Sequence, residues 1–328
     1  MNILVVGGAG YIGSHMCKKL YQLGYTPIVL DNLVYGHRQA VQWGPFIKGS
    51  LDDTDLLKHL FKTHDIAVVM HFAAFTYVGE SVQNPAIYYQ NNVAATLALL
   101  QSMIEADVKN FIFSSSCATY GEPVEIPLTE EHPLNPISPY GRTKLMVEEI
   151  MRDFEHAYGL SSIALRYFNA AGADPDGQLG EDHDPETHLI PLVLKTALGQ
   201  RADIKVFGND YETDDGTCIR DYIHIVDLTS AHLLALEKLL NGGPGGCFNL
   251  GNGNGYSVME VIDKAREITE KPIPSEIIER REGDPAILVG SSQKAMDELG
   301  WEPRYPDLSV IIEHAWNWHK THPKGYKR

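Results

Sequence analysis

NILVVGGAGYIG, residues 2–13, is an apolar run that meets a glycine turn and then a helix. Ile3 to Val6 is continuously apolar, as in a strand buried on both faces. Gly7, Gly10 and Gly13 are spaced by three. From Ile12 the apolar residues Ile12, Met16, Leu20 and Leu23 keep helical spacing until Gly24, a helix stop. Pro27 to Leu30 then reads as a second strand ending at Asp31, 18 residues past Gly13. Such a strand, glycine turn, helix and strand suit a dinucleotide. The glycines let the backbone turn tightly and the pyrophosphate approach, and the helix N-terminus offers unpaired N–H groups and the positive end of its dipole. A carboxylate at Asp31 can bind both ribose hydroxyls of NAD and repels the 2′-phosphate of NADP. The expected cofactor is therefore NAD.

Outward from this unit the alternation continues. Apolar runs at Ile66 to Phe72, Phe111 to Phe113 and Ile163 to Phe168 lie between helical stretches near Val93 to Ile104 and Tyr140 to His156. The fold class is α/β, a Rossmann-type doubly wound parallel sheet with helices on both sides. From about Ala170 the character changes. Segment 172–186 is loop-like, and 205–220 and 241–256 are rich in Gly, Asn and Asp, whereas Asp227 to Leu240 reads as a core helix. The expected division is an NAD-binding domain over 1–170, with returning segments near 222–250, and an interleaved, smaller mixed α/β substrate-binding domain over 171–328.

The length, 328 residues, suits about two domains. A net charge of −16 repels the phosphates of nucleic acids and anionic lipids, so neither is an expected partner. No stretch approaches the ~20 apolar residues of a membrane span. Cys17, Cys117, Cys218 and Cys247 are too sparse for a disulfide scaffold, and the N-terminus has no basic region of a secretion signal. The expected location is the cytoplasm. Fourteen histidines raise the question of a metal. His183 and His188, in EDHDPETH, lie five apart in a loop without a helical His-x-x-x-His spacing, so no metal is expected.

SPYGRTK, residues 138–144, starts a helix: Ser138 is a good N-cap and Pro139 a good first residue. Tyr140 and Lys144 then share one face, four apart. A free tyrosine ionises near pH 10, too high for a base at neutral pH. A nearby ammonium and a positive nicotinamide ring would favour its phenolate. The strand Phe111 to Phe113 runs into Ser114-Ser115-Ser116, which puts a hydroxyl at a strand's carboxyl end, where doubly wound sheets bind ligands. Ala73 and Ala74 end another strand with small side chains that let a ligand lie close.

With these motifs the chain resembles the extended short-chain dehydrogenase/reductase family, and within it the UDP-hexose 4-epimerases. The matching stretches are VVGGAGYIGSH (5–15), VGESVQNP (78–85), FIFSSSCATYGEP (111–123), SPYGRTKLMVE (138–148), LRYFNAAGA (165–173), FGNDYETDDGTCIRDYIHIVDL (207–228) and RREGDPA (280–286). The resemblance runs from Met1 to about Trp301. It implies reversible inversion at C4 of a UDP-hexose through a transient 4-keto sugar. It makes Tyr140 the base, Lys144 its modulator and Ser116 the hydroxyl partner of the sugar oxygen. It further implies cofactor contacts at Gly7, Gly10, Tyr11, Ile12, Gly13 and Asp31. Others follow at Asn32, Leu33, Ser50, Leu51, Phe72, Ala73, Ala74, Thr76, Asn91, Ser114, Tyr140, Lys144 and Tyr167. For the substrate it points to Asn169, Arg220 and Arg281 around phosphate, to Leu189, Phe207, Tyr222 and Asp284 around uracil, ribose or sugar, and to His188 facing the nucleotide. A homodimer is the implied assembly.

Three positions leave the commonest pattern of that family. Ser50 stands where Asp usually holds the adenine amino group, with Asp52 or the Ser50 hydroxyl as substitutes. Thr76 occupies a position that is often lysine. Leu288 sits where some members carry tyrosine beside the sugar, so it leaves room for a 2-acetamido group. Dehydratases and decarboxylases of this fold carry an acid just after the catalytic hydroxyl. Here Cys117, Ala118 and Thr119 follow, and Cys117 reads as a small buried hydrophobe rather than a nucleophile. Two other readings are an inactive NAD-binding scaffold, which would typically have lost Tyr140 or Lys144, and a net oxidoreductase, which would accumulate NADH.

Overall fold

The computed structural model describes residues 1–281 and 284–326, so Glu282 and Gly283 of the RREGDPA stretch, and Lys327 and Arg328, lie outside the described residues. β1 (Asn2–Val6) feeds α1 (Tyr11–Gln22), which ends before Gly24 at φ +83°. β2 (Thr26–Asp31), β3 (Phe46–Lys48), α2 (Thr54–Thr63) and β4 (Ile66–His71) follow. Next come the short α3 (Val78–Gln83) and α4 (Pro85–Tyr88), then α5 (Ala95–Glu105), β5 (Asn110–Ser116), α6 (Pro139–Tyr158) and β6 (Ser161–Tyr167). As expected, Ser138 caps α6, its side chain accepting from Gly141 N at 3.1 Å. α5 starts later than the spacing suggests because Tyr89–Ala94 forms a π-helical turn. There Asn92 is turned inward: it accepts from Phe75 N at 2.9 Å and donates to Phe75 O and Thr143 Oγ1. This ties the loop after β4 to α6.

The second half supplies β7 (Asn169–Ala171), α7 (Leu189–Ala197), β8 (Ile204–Phe207), β9 (Ile219–His224) and α8 (Ile225–Leu240). It continues with β10 (Gly246–Leu250), β11 (Gly255–Ser257), α9 (Val258–Thr269), β12 (Ser275–Ile278), β13 (Ile287–Leu288), α10 (Gln293–Leu299) and α11 (Leu308–Thr321). The large sheet has seven strands in the order β10-β6-β5-β4-β1-β2-β3, all parallel. Alternate residues of its strands face opposite layers, as the strand period of two requires. Ile3, Val5, Val29 and Met70 pack with Met16, Leu228 and Leu236. Leu4, Val6, Ile28 and Val69 pack with Leu57, Leu99 and Val147.

A second sheet is built on β9, which pairs parallel with β7 and β13 and antiparallel with β11. β8 and β12 form a separate parallel pair. A third apolar core, with Ile190, Leu194, Val261, Ile311 and Trp316, lies among α7, α9 and α11. The glycine-, Asn- and Asp-rich segments 205–220 and 241–256 therefore hold strands as well as loops. Those strands are short, and the turns around them dominate the composition.

A buried polar network joins the two halves. Glu148 on α6 accepts from Ser115 Oγ and from Arg166 Nε, the latter at 2.9 Å. Arg166 Nη1 donates to Tyr120 Oη at 3.0 Å, and Tyr120 Oη donates to Asn249 Oδ1 at 2.6 Å. β5, β6, α6 and β10 are thus linked through side chains that are almost wholly buried.

Candidate active site

The glycine turn is as tight as its spacing suggests. Gly7 has φ +79°, and a Cβ there would stand 2.6 Å from Ala73 N. A Cβ on Gly13 would stand 2.2 Å from the Gly7 carbonyl oxygen. Gly10 is the N-cap of α1 and brings no side-chain cap, which leaves the first-turn N–H groups near Tyr11, Ile12 and Gly13 to an anion. The Asp31 carboxylate ends β2, where it accepts from Ala9 N at 3.0 Å and Leu33 N at 2.8 Å. Each oxygen keeps a further lone pair for a ribose hydroxyl. Burial pushes this carboxyl above the usual carboxylate range, against those two backbone bonds. These features fit a dinucleotide. Leu33 holds φ +63°. Asn32 Nδ2 donates to Ser50 Oγ at 3.1 Å, so the Ser50 hydroxyl is fixed beside the end of β2, and Leu51 is buried next to it. Phe72, Ala73 and Ala74 continue from β4 at the same sheet edge. Thr76 is exposed, and Asn91 donates to Asn92 Oδ1 from the π-helical turn.

Ser116, Tyr140 and Lys144 come together where β5 ends against the first turns of α6. The Ser116 hydroxyl lies beside the Tyr140 phenol and favours its ionised form. Burial pushes that phenol well above its ordinary value, the neighbouring Tyr167 adds to the rise, and the Ser116 hydroxyl opposes it. Lys144 Nζ donates to Ser114 O at 2.7 Å and lies 5.9 Å from the Tyr140 ring centre. Burial pulls its ammonium down to about 7, opposed by the Glu148 carboxylate. The Ser114 hydroxyl lies 3.3 Å from His232 Nε2. Cys117 is pushed up to about 12 by burial, so its thiol stays protonated.

The remaining candidates gather on the second sheet. Asn169 is in register with Tyr222, and Leu288 with Arg220. Asn169 Nδ2 donates to Asp221 O at 2.9 Å. Arg220 pairs with Asp284 and donates through Nη1 to Ile219 O at 2.7 Å. The Arg281 guanidinium lies 3.8 Å from the Phe207 ring centre. Leu288 packs against Tyr120, Leu128 and Phe168. Because only Phe168 separates β6 from β7, Tyr167 of the large sheet and Asn169 of the second sit two residues apart.

His188 stands at the N-cap position of α7 without a side-chain capping bond, its Nδ1 turned instead toward Glu181 at 2.7 Å and Glu186 at 3.4 Å. His183 Nδ1 faces the same two carboxylates. The expectation of no metal rested on helical spacing. The loop instead folds these four residues onto one another, a grouping that a spacing rule for helices does not detect.

Asp221 escaped the sequence reading. Fully buried, it accepts from Asn252 N at 2.8 Å, Gly253 N at 3.1 Å and Gly290 N at 3.3 Å, and burial pushes its carboxyl up to about 6. It fastens the loops after β10 and β13 to the strand that carries Arg220 and Tyr222. Its only signal is an acid flanked by Arg220 and Tyr222.

Among the described residues, no helix is long and apolar enough to cross a membrane. The sequence profile of the NAD dependent epimerase/dehydratase family matches residues 3–251. A UDP-glucose 4-epimerase of Halalkalibacterium halodurans is 57% identical over 326 residues, covering 99% of this chain and 98% of the relative. The crystal structure of UDP-glucose 4-epimerase from Brucella ovis in complex with NAD superposes with a TM-score of 0.94 at 50% identity, covering 96% and 97% of the two chains. The UDP-Glc/GlcNAc 4-epimerase of Campylobacter jejuni does so with a TM-score of 0.85 at 41% identity, covering 98% and 99%.

Proposed function

The chain belongs to the NAD dependent epimerase/dehydratase family, and from that premise we propose that it reversibly inverts C4 of a UDP-hexose, interconverting UDP-glucose and UDP-galactose with NAD as cofactor. The observation that carries this reading is a buried Lys144, bonded to Ser114 O and 5.9 Å from the ring of Tyr140 one helical turn away, beside Ser116 at the end of β5, with Cys117, Ala118 and Thr119 in place of a second acid. Tyr140 takes the proton of the sugar 4-hydroxyl as its phenolate and later returns it. Ser116 holds the same oxygen and shares the proton. Lys144 lowers the energy of the phenolate through its charge. The chemistry supplied by bound NAD is removal of the C4 hydride and its return to the opposite face of the ring. With no carboxylate after Ser116, elimination toward C5 or C6 has no base.

The glycine turn and the first turn of α1 would hold the pyrophosphate of NAD, and Asp31 its adenosine ribose. Asn32, Leu33, Ser50 and Leu51 surround the adenosine. Phe72, Ala73, Ala74, Thr76, Asn91, Ser114 and Tyr167 line the rest. Arg220 and Arg281, with Asn169, take the UDP diphosphate, since arginine forks match phosphate oxygens. His188, Leu189, Phe207, Tyr222 and Asp284 complete the nucleotide and sugar pocket. The parts of the chain divide as 1–170 for NAD, with segments near 222–250, and 171–328 for substrate. Leu288 leaves space beside C2, which supports turnover of UDP-GlcNAc and UDP-GalNAc as well. Four free cysteines support a reducing, cytoplasmic setting, and the exposed apolar Val78, Val82 and Met146 on α3 and α6 support a homodimer.

The test is incubation of the purified protein, without added cofactor, with UDP-galactose and separately with UDP-GlcNAc. The C4 epimer should form without lasting absorbance in the NADH band, and Tyr140→Phe should keep NAD while abolishing turnover. Accumulating NADH or an oxidised sugar would mark a net oxidoreductase. Unchanged turnover in Tyr140→Phe would remove that residue from the base role.

A further inference from the structure

The loop between β7 and α7 brings two histidines and two glutamates to one point. Glu181, His183, Glu186 and His188 each offer one ligand atom, and these atoms lie within 4.8 Å of one another. His183 Nδ1 is 3.2 Å from Glu181 Oε1 and 3.8 Å from Glu186 Oε1. His188 Nδ1 is 2.7 Å and 3.4 Å from the same two oxygens. A tetrahedral ion with bonds of about 2.0–2.1 Å has ligand-to-ligand edges of about 3.3 Å, close to the 3.2 Å between His183 Nδ1 and Glu181 Oε1.

The carboxylates are 4% exposed, and Glu181 Oε1, His183 Nδ1 and His188 Nδ1 approach closely yet make no hydrogen bond of acceptable geometry. Buried polar atoms are rarely left in that state. Glu186 Oε1 accepts from Thr187 N at 2.9 Å and His188 N at 3.0 Å, which holds the carboxylate in place and leaves its buried Oε2, without a hydrogen bond, as the oxygen open to an ion.

We propose that Glu181, His183, Glu186 and His188 form a binding site for one divalent transition ion of the zinc type. Two imidazoles and two carboxylates match zinc, whereas calcium and magnesium take six or more oxygens. Two neutral rings, two carboxylates and a +2 ion sum to zero among the ligands themselves, with the Lys195 ammonium 3.9 Å from Glu186 Oε2 at the edge of the cluster. The same neutrality holds when two imidazolium protons occupy the cluster, so the ion exchanges for protons without a charge penalty. The site does not include Ser116, Tyr140 or Lys144, but through His188 it borders the nucleotide pocket proposed above, and its loop is fastened on several sides. Asp182 O contacts His37 Nε2 at 2.8 Å, Tyr77 Oη donates to Pro185 O at 2.7 Å, and Tyr326 N donates to Asp182 Oδ2 at 2.8 Å. His183 also meets the edge of Tyr11, in the first turn of α1. An ion here would lock the approach to both α1 and α7.

The test uses the full chain with its cofactor, dialysed against EDTA and titrated with CoCl2 and then ZnCl2. One equivalent of cobalt per chain should bind with the intense visible bands of four-coordinate Co2+, and zinc should displace it. The thermal midpoint should rise by roughly 5 °C at about 100-fold excess over Kd. His183→Ala and Glu181→Gln should each weaken binding by roughly 100-fold or more. Wild-type protein that takes up no stoichiometric cobalt or zinc overturns the proposal whatever the variants do. So do weak six-coordinate bands, or full-strength binding by both variants.

Discussion

Replacing Lys144 with methionine separates charge from bulk at the centre of the proposed chemistry. The ammonium sits 5.9 Å from the Tyr140 ring centre. At about 6 Å and an effective dielectric of about 20, a unit charge favours the phenolate by about 2.8 kcal/mol, or about two pKa units. Lys144 itself is drawn down to about 7 by burial, so the helper titrates in the working range. Below that value nearly every chain carries the ammonium, and wild type should exceed the variant about 100-fold in kcat/KM. At pH 7 about half do, and the ratio should be about 50-fold. At pH 9 about one chain in a hundred does, and the ratio should shrink to about twofold. The assay is kcat/KM for UDP-galactose between about pH 5.5 and 9, which reports ionisations of the free enzyme. Bound NAD is quantified in each preparation so that cofactor loss is not counted as lost chemistry. A wild-type to variant ratio that stays constant across this range, or that stays near one, would refute the electrostatic role.

Glu148→Gln leaves the Arg166 guanidinium buried without its counter-charge. The loss should be about 3–5 kcal/mol, a fall of roughly 6–10 °C in Tm by scanning calorimetry, and a fall under about 2 °C would show that the network contributes little. Leu288→Tyr adds a ring beside Tyr120 and Phe168, and should lower kcat/KM for UDP-GlcNAc by roughly tenfold or more while changing UDP-galactose by less than about threefold. Equal losses on the two substrates would mean that position 288 does not select at C2.

What could be read from the sequence was local. The turn at Gly7, Gly10 and Gly13, the acid at Asp31 and the Tyr140/Lys144 pair each lie within one helix or one turn, where spacing alone sets geometry. Ser116 followed because a strand's carboxyl end is recognisable from its apolar run. The second sheet was harder. Its strands have two to six residues, too few for an alternating pattern to stand out from the glycine turns around them. Asp221 makes its bonds to residues more than thirty positions away, and Tyr120 meets Asn249 across 129. The Glu181 to His188 stretch was legible as a loop, but which of its side chains meet is set by how that loop folds. In each case the missing information was tertiary.

The large sheet's edge strand, Gly246–Leu250, arrives 79 residues after the end of β6, the strand it covers. During synthesis the first six strands therefore emerge with β6 uncovered. That strand presents a row of unpaired backbone groups, and Tyr120 waits for Asn249. Until residue 250 has left the ribosome, the nascent chain exposes a sticky border immediately beside its own catalytic pocket. The enzyme's hazard in the cell is then greatest just before it becomes competent, and a ribosome stalled between residues 168 and 245 would release an aggregation-prone product rather than a partly active one.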